Sequence, residues 1–171
     1  MKKFDTKYFQ SLTEYGDRYI REVDLVDADL TNQQLFDYSF SDKDLRLADF
    51  SGSDLTAGSF NRCNLHTTNL SNTNLQEASF IGAYFKNVDL TGAYLGYVTG
   101  NGREIISKDI EDTWVVYTKD ILCIESNQYS IAEWRVFSNE IIKTMPDISV
   151  FWWNKHKEYI LDEVKASRKT G

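Results

Sequence analysis

The strongest constraint in this chain of 171 residues is a leucine or phenylalanine at every fifth position from Leu25 to Leu95. Fifteen such positions follow one another without a slip. A period of five matches neither the helix, with about 3.6 residues per turn, nor the strand, with about two. A short fixed period predicts one small unit stacked many times, with the large residue directed inward in every unit.

The residues around each hydrophobe indicate a square coil. The residue two before it is mostly small, as in Ala28, Ala48 and Ala78, and the residue just before it is mostly Asp, Asn or Ser. Five residues suffice for one short side with a turn at its corner, so four sides would make a coil of twenty residues. Residues twenty apart agree with this coil, because Ser-Phe recurs at 39–40, 59–60 and 79–80.

This pattern resembles the pentapeptide-repeat family, whose repeat is roughly Ala-(Asp/Asn)-Leu-x-x, over about residues 23–97. The resemblance implies a mainly β fold, a right-handed quadrilateral parallel β-helix, which we expect to carry an α-helical N-terminal cap and an α/β C-terminal cap. Three neighbouring units place Gln33, Tyr38 and Lys43 at the small inward position. Because an unpaired lysine is costly in an apolar interior, we expect the first coil to be wider, bulged or partly open there.

We divide the chain into three expected parts. Residues 1–22 form an N-terminal helical cap, residues 23–99 the β-helix, and residues 100–171 a C-terminal α/β cap that is a candidate dimerisation element. Aromatic residues at helical spacing predict a helix over about 5–15 that stops at Gly16. An arm that reaches a second subunit is the alternative for this segment.

The C-terminal part has strand and helix signals in turn. Short apolar runs predict strands at 105–106, 114–117 and 121–124. Ser130 and Glu133 have the spacing of a capping box, which predicts a helix after Ser130. Asp147, directly after Pro146, predicts the cap of a last helix through about residue 166.

All four tryptophans lie in this C-terminal part, and we expect them to form its core: Trp114, Trp134, Trp152 and Trp153. A sharper interpretation starts from the adjacent pair. If Trp152 and Trp153 cannot both face inward from one helix, one of them lies at a partner surface, where aromatic anchors are favoured. A second copy of the chain is then the simplest partner.

The tail is also similar to the tails of small pentapeptide-repeat proteins that phages and prophages encode. The matching segments are Gly-Asn-Gly at 100–102, Val-Val-Tyr-Thr at 115–118, Ile-Ala-Glu-Trp at 131–134 and the Trp pair at 152–153. Such tails carry a cysteine and a histidine near the position of 125–129, and this chain has neither there. The resemblance therefore implies a phage or prophage origin but no metal or thiol chemistry.

Several function classes are not expected. No apolar run is long enough to span a membrane and no secretory segment precedes the repeat, so we expect a cytoplasmic protein with no membrane partner. Cys63 and Cys123 are expected to be reduced and buried. Neither CxxC nor HxxxH occurs, so no metal or cofactor is expected. Because a filled β-helix has no interior pocket and no catalytic motif is present, we expect no enzyme activity.

The charge points to a basic partner. The net charge is −7, and residues 23–97 hold ten acids against four bases. Phosphates attract Lys and Arg, so direct nucleic-acid binding is not expected, whereas a basic or DNA-binding protein fits. Some pentapeptide-repeat proteins bind DNA gyrase, with a rod that is thought to imitate a duplex. The resemblance thus implies a candidate DNA mimic that inhibits or occupies a DNA-handling host protein, such as a topoisomerase, a nuclease or a defence factor.

The candidate partner-binding residues are Asp24, Asp27, Asp29, Asp44, Asp49, Asp54, Asp89, Trp152 and Trp153. The line Asp29, Asp49 and Asp89 is the most plausible stripe. Asp27, Asp37 and Asp42 stand at outward positions where the repeat does not require acid, which favours selection for negative charge.

One protomer is a sparse imitation of DNA. Its coils span about 18 Å at about 4.8 Å per layer, over which a duplex carries about 10 charges. A homodimer joined end to end through the C-terminal caps would be a better mimic. The alternative function is a structural or adaptor solenoid that binds its partner through the aromatic C-terminal cap.

Overall fold

The computed structural model describes residues 2–12, 18–20 and 23–167. Most pentad centres form a parallel bridge with the residue twenty positions later, from Tyr19↔Ser39 to Ser79↔Thr99. Backbone bonds accompany these bridges, as where Leu30 N donates to Asp49 O at 2.8 Å. The predicted twenty-residue coil is therefore confirmed, and residues 23–99 form a β-helix solenoid.

Each coil has four sides, and the stacked coils have four faces, which we name by their columns of central residues. Face A carries Asp24, Asp44, Asn64 and Tyr84, face B carries Asp29, Asp49, Asn69 and Asp89, face C carries Gln34, Asp54, Asn74 and Tyr94, and face D carries Tyr19, Ser39, Ser59, Ser79 and Thr99. The faces follow one another in this order around the coil, so face A lies opposite face C.

The interior of the coils is filled by the fifth-position residues, most of which are fully buried. Phe40, Phe60 and Phe80 stack across successive coils with ring centroids 5.0 and 5.1 Å apart. Polar groups that face inward bond to the backbone, as where Ser53 Oγ donates to Leu30 O at 2.6 Å. Because burying one Leu or Phe side chain contributes about 1.5–3 kcal/mol, this column is the main source of the solenoid's stability.

The two cysteines are buried and free, as predicted. Cys63 Sγ donates to Phe40 O at 2.9 Å inside the coils, and Cys123 Sγ donates to Glu125 O at 3.2 Å. Burial raises the pKa of both thiols to about 12. Both side chains therefore remain neutral thiols at neutral pH and act as small packing groups.

The corners of the coils need a left-handed backbone. The second residue after each inward Leu or Phe has a positive φ, for example 57° at Asp27, 56° at Asn32 and 72° at Gly52. Gly, Asn and Asp adopt this conformation at the lowest cost. This explains why they hold most corners of the series: Asp27, Asn32, Asp37, Asp42, Gly52, Asn72, Gly82, Asn87 and Gly92.

The first coil is regular, so the expectation that it is wider or bulged at Gln33, Tyr38 and Lys43 is wrong. The carbonyls of these residues accept N–H groups from the next coil at 2.9–3.0 Å, from Asp54, Ser59 and Asn64 respectively. Tyr38 is buried against Phe9, with ring centroids 6.0 Å apart. Gln33 and Lys43 stay half-buried, which avoids full desolvation of the lysine.

The amino end combines a helix with short strand segments. Strand β1 (Lys2–Lys3) pairs in parallel with β2 (Ala28–Asp29). Helix α1 (Thr6–Leu12) lies within the predicted 5–15, and residues 13–15 and the predicted stop at Gly16 lie outside the described residues. Ile20 N donates to Ser39 O at 3.0 Å, so residues 18–20 extend face D by one layer.

A four-stranded antiparallel sheet closes the carboxy end of the coils. Its strands are β3 (Ile106–Asp109), β4 (Trp114–Tyr117), β5 (Ile121–Ile124) and β6 (Asn127–Ser130), paired in that order. One face of the sheet packs on the last coil, where Val116 and Cys123 join the core of the solenoid. The side chain of Gln128 accepts from Leu95 N at 2.7 Å and donates to Ala93 O at 2.6 Å, which satisfies edge groups of that coil.

Three helices cover the other face of the sheet: α2 (Ile131–Val136), α3 (Asn139–Ile142) and α4 (Val150–Ser167). The second core contains Val115, Tyr117, Leu122 and Ile124 from the sheet and Trp134, Trp152 and Trp153 from the helices. The capping box at Ser130 and Glu133 is present, as predicted. No helix within the described residues is both long and apolar enough to cross a membrane.

Three details of this part differ from the sequence prediction. The strand predicted at 105–106 is observed as β3 at 106–109, where pairing with β4 extends it beyond the apolar run. Strand β6 was not predicted, because Asn-Gln-Tyr-Ser has little strand character. The cap of the last helix is Ser149, whose Oγ accepts from Trp152 N at 3.0 Å, and not Asp147. Asp147 instead has a φ of 62° in the turn before the helix.

We expect Gly92→Ala to destabilise the solenoid by about 1–3 kcal/mol, because φ is positive there and the new Cβ would meet Asn72. That Cβ would stand 2.4 Å from Asn72 Oδ1. Gly102→Ala is the matched control, since its φ is 77° and no atom lies within 4 Å of the Cβ position. Denaturant unfolding measures both, and adding Asn72→Ala should recover part of the Gly92→Ala loss. Equal losses for the two alanines would show that contact with Asn72 contributes nothing.

Candidate functional site

The acidic residues at the centres of the faces first serve the turns. One carboxylate oxygen accepts the backbone N–H two residues later, at 3.2 Å for Asp29 and Thr31, 2.8 Å for Asp49 and Ser51, and 2.9 Å for Asp89 and Thr91. Asn64, Asn69 and Asn74 make the same bond at 2.9–3.2 Å. Because an amide oxygen does this as well as a carboxylate, the turn does not require the negative charge.

The carboxylates of face A are paired with cations. Asp24 lies 2.7 Å from Lys2 Nζ, and Asp44 Oδ2 lies 2.7 Å from Arg46 Nη2. The side-chain bond from Lys2 lowers the pKa of Asp24, and the side-chain bond from Arg46 lowers that of Asp44. These two predicted partner-binding residues are therefore ionised at neutral pH, but their charge is offset locally.

The outward acids at the corners have a structural reason that the sequence pattern did not show. Asp27, Asp37 and Asp42 occupy left-handed corner positions with φ of 57°, 62° and 64°. Asp42 also holds Arg62 in a two-pronged contact of 2.6 and 2.8 Å. The sequence argument for selected negative charge at these three positions is therefore weakened, since backbone geometry alone favours Asp there.

Face B differs from face A in the charged residues that lie next to its acids. No ion pair within the described part of the chain involves Asp29, Asp49 or Asp89. The corner residues that follow this column are uncharged: Thr31, Asn32, Ser51, Gly52, Ser71, Asn72, Thr91 and Gly92. Lys3, on the neighbouring strand β1, pairs with the backbone of Asp29 at the amino end of the column.

Hydrogen bonds hold Asp29 and Asp89 of face B in the ionised form. The backbone bond and then the side-chain bond from Thr31 lower the pKa of Asp29, and the side-chain bond and then the backbone bond from Thr91 lower that of Asp89. Successive layers lie about 4.8 Å apart. Asp54, on the adjoining face C, bonds Thr56 N at 3.0 Å and Thr56 Oγ1 at 2.6 Å. We call Asp29, Asp49, Asp89 and Asp54 the carboxylate column.

The prediction that Trp152 or Trp153 lies at the surface is wrong. Trp152 Nε1 donates to Ile110 O at 3.1 Å, and the Trp153 ring lies 5.0 Å from that of Trp134. Both side chains are buried because α4 is enclosed on adjacent sides, by the β3–β4 hairpin and by α2. The most exposed aromatic residue among the described residues of this helix is Phe151, at 79%, followed by Tyr159, at 49%.

Comparisons with known proteins support the repeat. Residues 59–96 match the sequence model of the family described as pentapeptide repeats, in eight copies. Among curated proteins, none matches the chain. The resemblance to pentapeptide repeats is thus confirmed for that segment, and the similarity of the tail to phage and prophage proteins stays a prediction.

Solved structures of similar fold cover about half of the chain. A pentapeptide repeat protein from Nostoc PCC 7120 is 23% identical with a TM-score of 0.49, over 56% of this chain and 78% of that one. QnrB1, a plasmid-mediated fluoroquinolone resistance protein, is 19% identical with a TM-score of 0.36, over 47% of this chain and 49% of that one. A pentapeptide repeat protein from the thylakoid lumen of Arabidopsis thaliana is 23% identical with a TM-score of 0.31, over 53% and 73%.

We expect Asp49→Asn to leave the free energy of unfolding within about 0.5 kcal/mol of the wild type, because the amide retains the turn bond. Asp49→Ala should cost about 1 kcal/mol, since Ser51 N then loses its acceptor. Asn69→Ala is the matched control and should lose a similar amount. Equal losses for Asp49→Asn and Asp49→Ala would mean that the fold itself needs the charge.

The pair of Asp44 and Arg46 predicts a pH dependence. Since the folded state lowers the pKa of Asp44 below its usual 3.8, the stabilisation is present at neutral pH and is lost as pH falls through the folded pKa. Denaturant unfolding between pH 7 and pH 3 should therefore show a shallower loss of stability for Asp44→Asn and for Arg46→Gln than for the wild type. Wild-type slopes in both variants would contradict this assignment.

Proposed function

We propose that this chain is a non-enzymatic protein-binding protein whose carboxylate column binds a basic surface of a DNA-handling protein. The observation that carries the proposal is the contrast between faces. Acids on face A and at the corner of Asp42 form ion pairs with cations, whereas in the described residues no acid of the carboxylate column forms an ion pair, although Lys3 lies close enough to Asp29 to lower its pKa. Charges that the turns do not require and that no cation offsets are available to an external partner.

The filled interior supports a role for the outer surface. The inward column from Leu25 to Leu95 is almost entirely buried, so the coils enclose no ligand-sized space between these side chains. A β-helix of this kind presents rigid, flat faces with fixed spacing. Such a surface loses little conformational entropy on binding, which favours a partner that is complementary in shape and charge.

DNA mimicry is the more specific form of the proposal. From Asp29 to Asp89 the column spans three layer spacings, or about 14 Å, over which a duplex carries about 8 phosphate charges. Three carboxylates on face B, with Asp54 beside them, therefore imitate one side of a short duplex segment. The proposed action is to occupy and inhibit a DNA-binding groove of a topoisomerase, a nuclease or a defence factor, in the cytoplasm of a bacterial or phage-infected cell.

The alternative is an adaptor that binds through its carboxy-terminal cap. Burial of Trp152 and Trp153 removes the residues first proposed for that role. Phe151, which is 79% exposed on α4, is the side chain that would contact the partner in this alternative. Phe151→Ala is therefore the variant that distinguishes this function from binding by the carboxylate column.

We expect the triple variant Asp29→Asn, Asp49→Asn and Asp89→Asn to lose capture of DNA-binding proteins in a pull-down from bacterial lysate. The amides keep the turn bonds, as Asn69 does within the same column, so the loss would report charge and not folding. Captured proteins, identified by mass spectrometry, should be released by added duplex DNA and by high salt, which screens the contact.

The matched control removes the same number of charges from paired acids: Asp24→Asn, Asp42→Asn and Asp44→Asn. This variant should capture as well as the wild type. If the face B triple captures normally while Phe151→Ala does not, the adaptor function replaces the proposed one. Equal loss in both triple variants would show that only the total charge matters and not the column.

A further inference from the structure

One edge of the four-stranded sheet, strand β3, has outward backbone groups that no other described residue bonds. Ile110 and Thr113 exchange two backbone bonds, of 2.9 and 3.2 Å, at the β3–β4 turn. Since hydrogen-bonded residues alternate along an antiparallel pair, Lys108 and Ile106 also direct their backbone groups at β4. The N–H and C=O of Ser107 and Asp109 therefore point away from the sheet.

The opposite edge is partly covered. The same alternation directs the backbone of Gln128 and Ser130 outward from β6. Ser130 N donates to Glu133 Oε2 at 2.8 Å, and Tyr94 OH donates to Ser126 O at 3.2 Å just before the strand. Outside the strand ladder, none of the hydrogen bonds found in 2–12, 18–20 and 23–167 reaches the backbone of Ser107 or Asp109. Strand β3 is thus the less protected edge of the sheet, because the side chain of Glu133 reaches β6 and no comparable side-chain bond within the same ranges reaches the backbone of β3.

Contacts with the last coil show which side of the molecule this edge faces. Gln128 on β6 bonds to Ala93 and Leu95, which flank the centre of face C. Ser107 Oγ on β3 accepts from Gly100 N at 3.0 Å, beside the corner where face D turns into face A. The sheet therefore runs across the end of the coil from face C to face A, and the edge of β3 lies on the face A side.

Exposed apolar side chains occur on the two parts of the fold that adjoin this edge, the last layer of face A and helix α4. Tyr84, on face A, is 51% exposed, and Ile81, at the corner between faces D and A, is 56% exposed. On the other side of the sheet, Tyr159 of α4 is 49% exposed and its hydroxyl accepts from Lys108 Nζ at 3.2 Å. We call Ile81, Tyr84, the outer edge of β3 and Tyr159 the flank.

We propose that a second copy of this chain binds the flank, with the two β3 strands paired antiparallel about a twofold axis at Ser107. The two sheets then join into one of eight strands. Both solenoids lie side by side under it, and both α4 helices lie above it. The edge of a four-residue strand is far smaller than the roughly 1,200–2,000 Å² that a stable interface buries, so the apolar residues of the flank are needed as well.

The sequence of β3 selects one register. Within β3, Ser107 and Asp109 direct their backbone groups outward and can bond to a second strand. The twofold axis of such a pair can therefore pass through Ser107, through Asp109, or through Lys108 between them. Centring on Lys108 or on Asp109 places like charges directly opposite each other, which destabilises a pair. Centring on Ser107 places Lys108 opposite Ile106 and Asp109 opposite Ile105, with no like charges opposed.

Self-complementarity favours a second copy over an extended peptide of another protein. An extended peptide would cover the backbone of β3 but would leave Ile81, Tyr84 and Tyr159 uncovered. A twofold partner brings its own flank and covers all of them at once, which is the usual geometry of homodimers.

Cysteine cross-linking tests both the dimer and its register. In an antiparallel hydrogen-bonded pair the two Cα atoms lie about 5.5 Å apart, within the range of about 4.4–6.8 Å for a disulfide. Ser107→Cys should therefore give a disulfide-linked dimer under mild oxidation. Asp109→Cys is the matched control, because its two Cα atoms would lie about 14 Å apart in this register and should not be linked. The native cysteines are buried and do not compete.

Light scattering with size exclusion should give twice the chain mass of 19.8 kDa for the wild type. The double variant Ile81→Lys and Tyr84→Lys should be a monomer with an unchanged circular dichroism spectrum. Val136→Lys is its control, since Val136 is 77% exposed but lies on α2, over β5 and β6. A wild-type monomer at every concentration overturns the proposal, as does a dimer that Asp109→Cys links and Ser107→Cys does not. Neither result bears on the carboxylate column, which lies on other faces.

Discussion

The stack of Leu and Phe side chains inside the coils is the interaction on which the rest of the structure depends. Each coil of twenty residues directs one such residue inward from each of its four sides, and the parallel ladder between coils satisfies the backbone. In the described residues, no buried side-chain nitrogen or oxygen is left without a hydrogen bond. The interior is consequently closed to ligands, and chemistry with other molecules is confined to the four faces, the corners and the terminal caps.

The same geometry explains why acidic composition alone overstates functional charge. The centre of each side favours Asp or Asn because its oxygen closes the turn, and the corner favours Asp, Asn or Gly because its φ is positive. Many acids of the repeat therefore need no partner to account for them. The distinction between structural and available charge depends on ion pairs: Arg46 offsets Asp44 and Arg62 offsets Asp42, whereas in the described residues Asp49, Asp54 and Asp89 of the carboxylate column form no ion pair and Asp29 has only the nearby charge of Lys3.

Much of the fold could be predicted from the sequence because the repeat is local and strictly periodic. The coil length followed from residues twenty apart, and the strands at 114–117 and 121–124 followed from their apolar runs. The pairing of Asp42 with Arg62 was also predictable in principle, since the two residues are twenty apart, but it becomes obvious only once the corner positions are known. This ion pair distinguishes Asp42, whose charge Arg62 offsets, from the acids whose charge is available to a partner protein.

Other features depend on tertiary contacts that have no local signal. The strand segments at Lys2–Lys3 and at residues 18–20 are too short for a periodicity, and they are strands only because a coil edge lies beside them. Strand β6 is polar because Gln128 must bond to the last coil. Both tryptophans of α4 could be buried because the helix lies between the β3–β4 hairpin and α2, which the spacing of residues within one helix does not show.

The terminal sheet also separates the two proposed surfaces. By covering the last coil, it satisfies the open edge of the solenoid and leaves one free strand on the face A side. The sheet lies across the end of the rod, so a twofold axis perpendicular to the sheet runs parallel to the solenoids. Two copies paired through β3 would then direct their B faces to opposite sides. Such a dimer would carry two separate carboxylate columns and bind two partner surfaces at once, unlike the end-to-end arrangement expected from charge density alone, which would form one longer acidic surface.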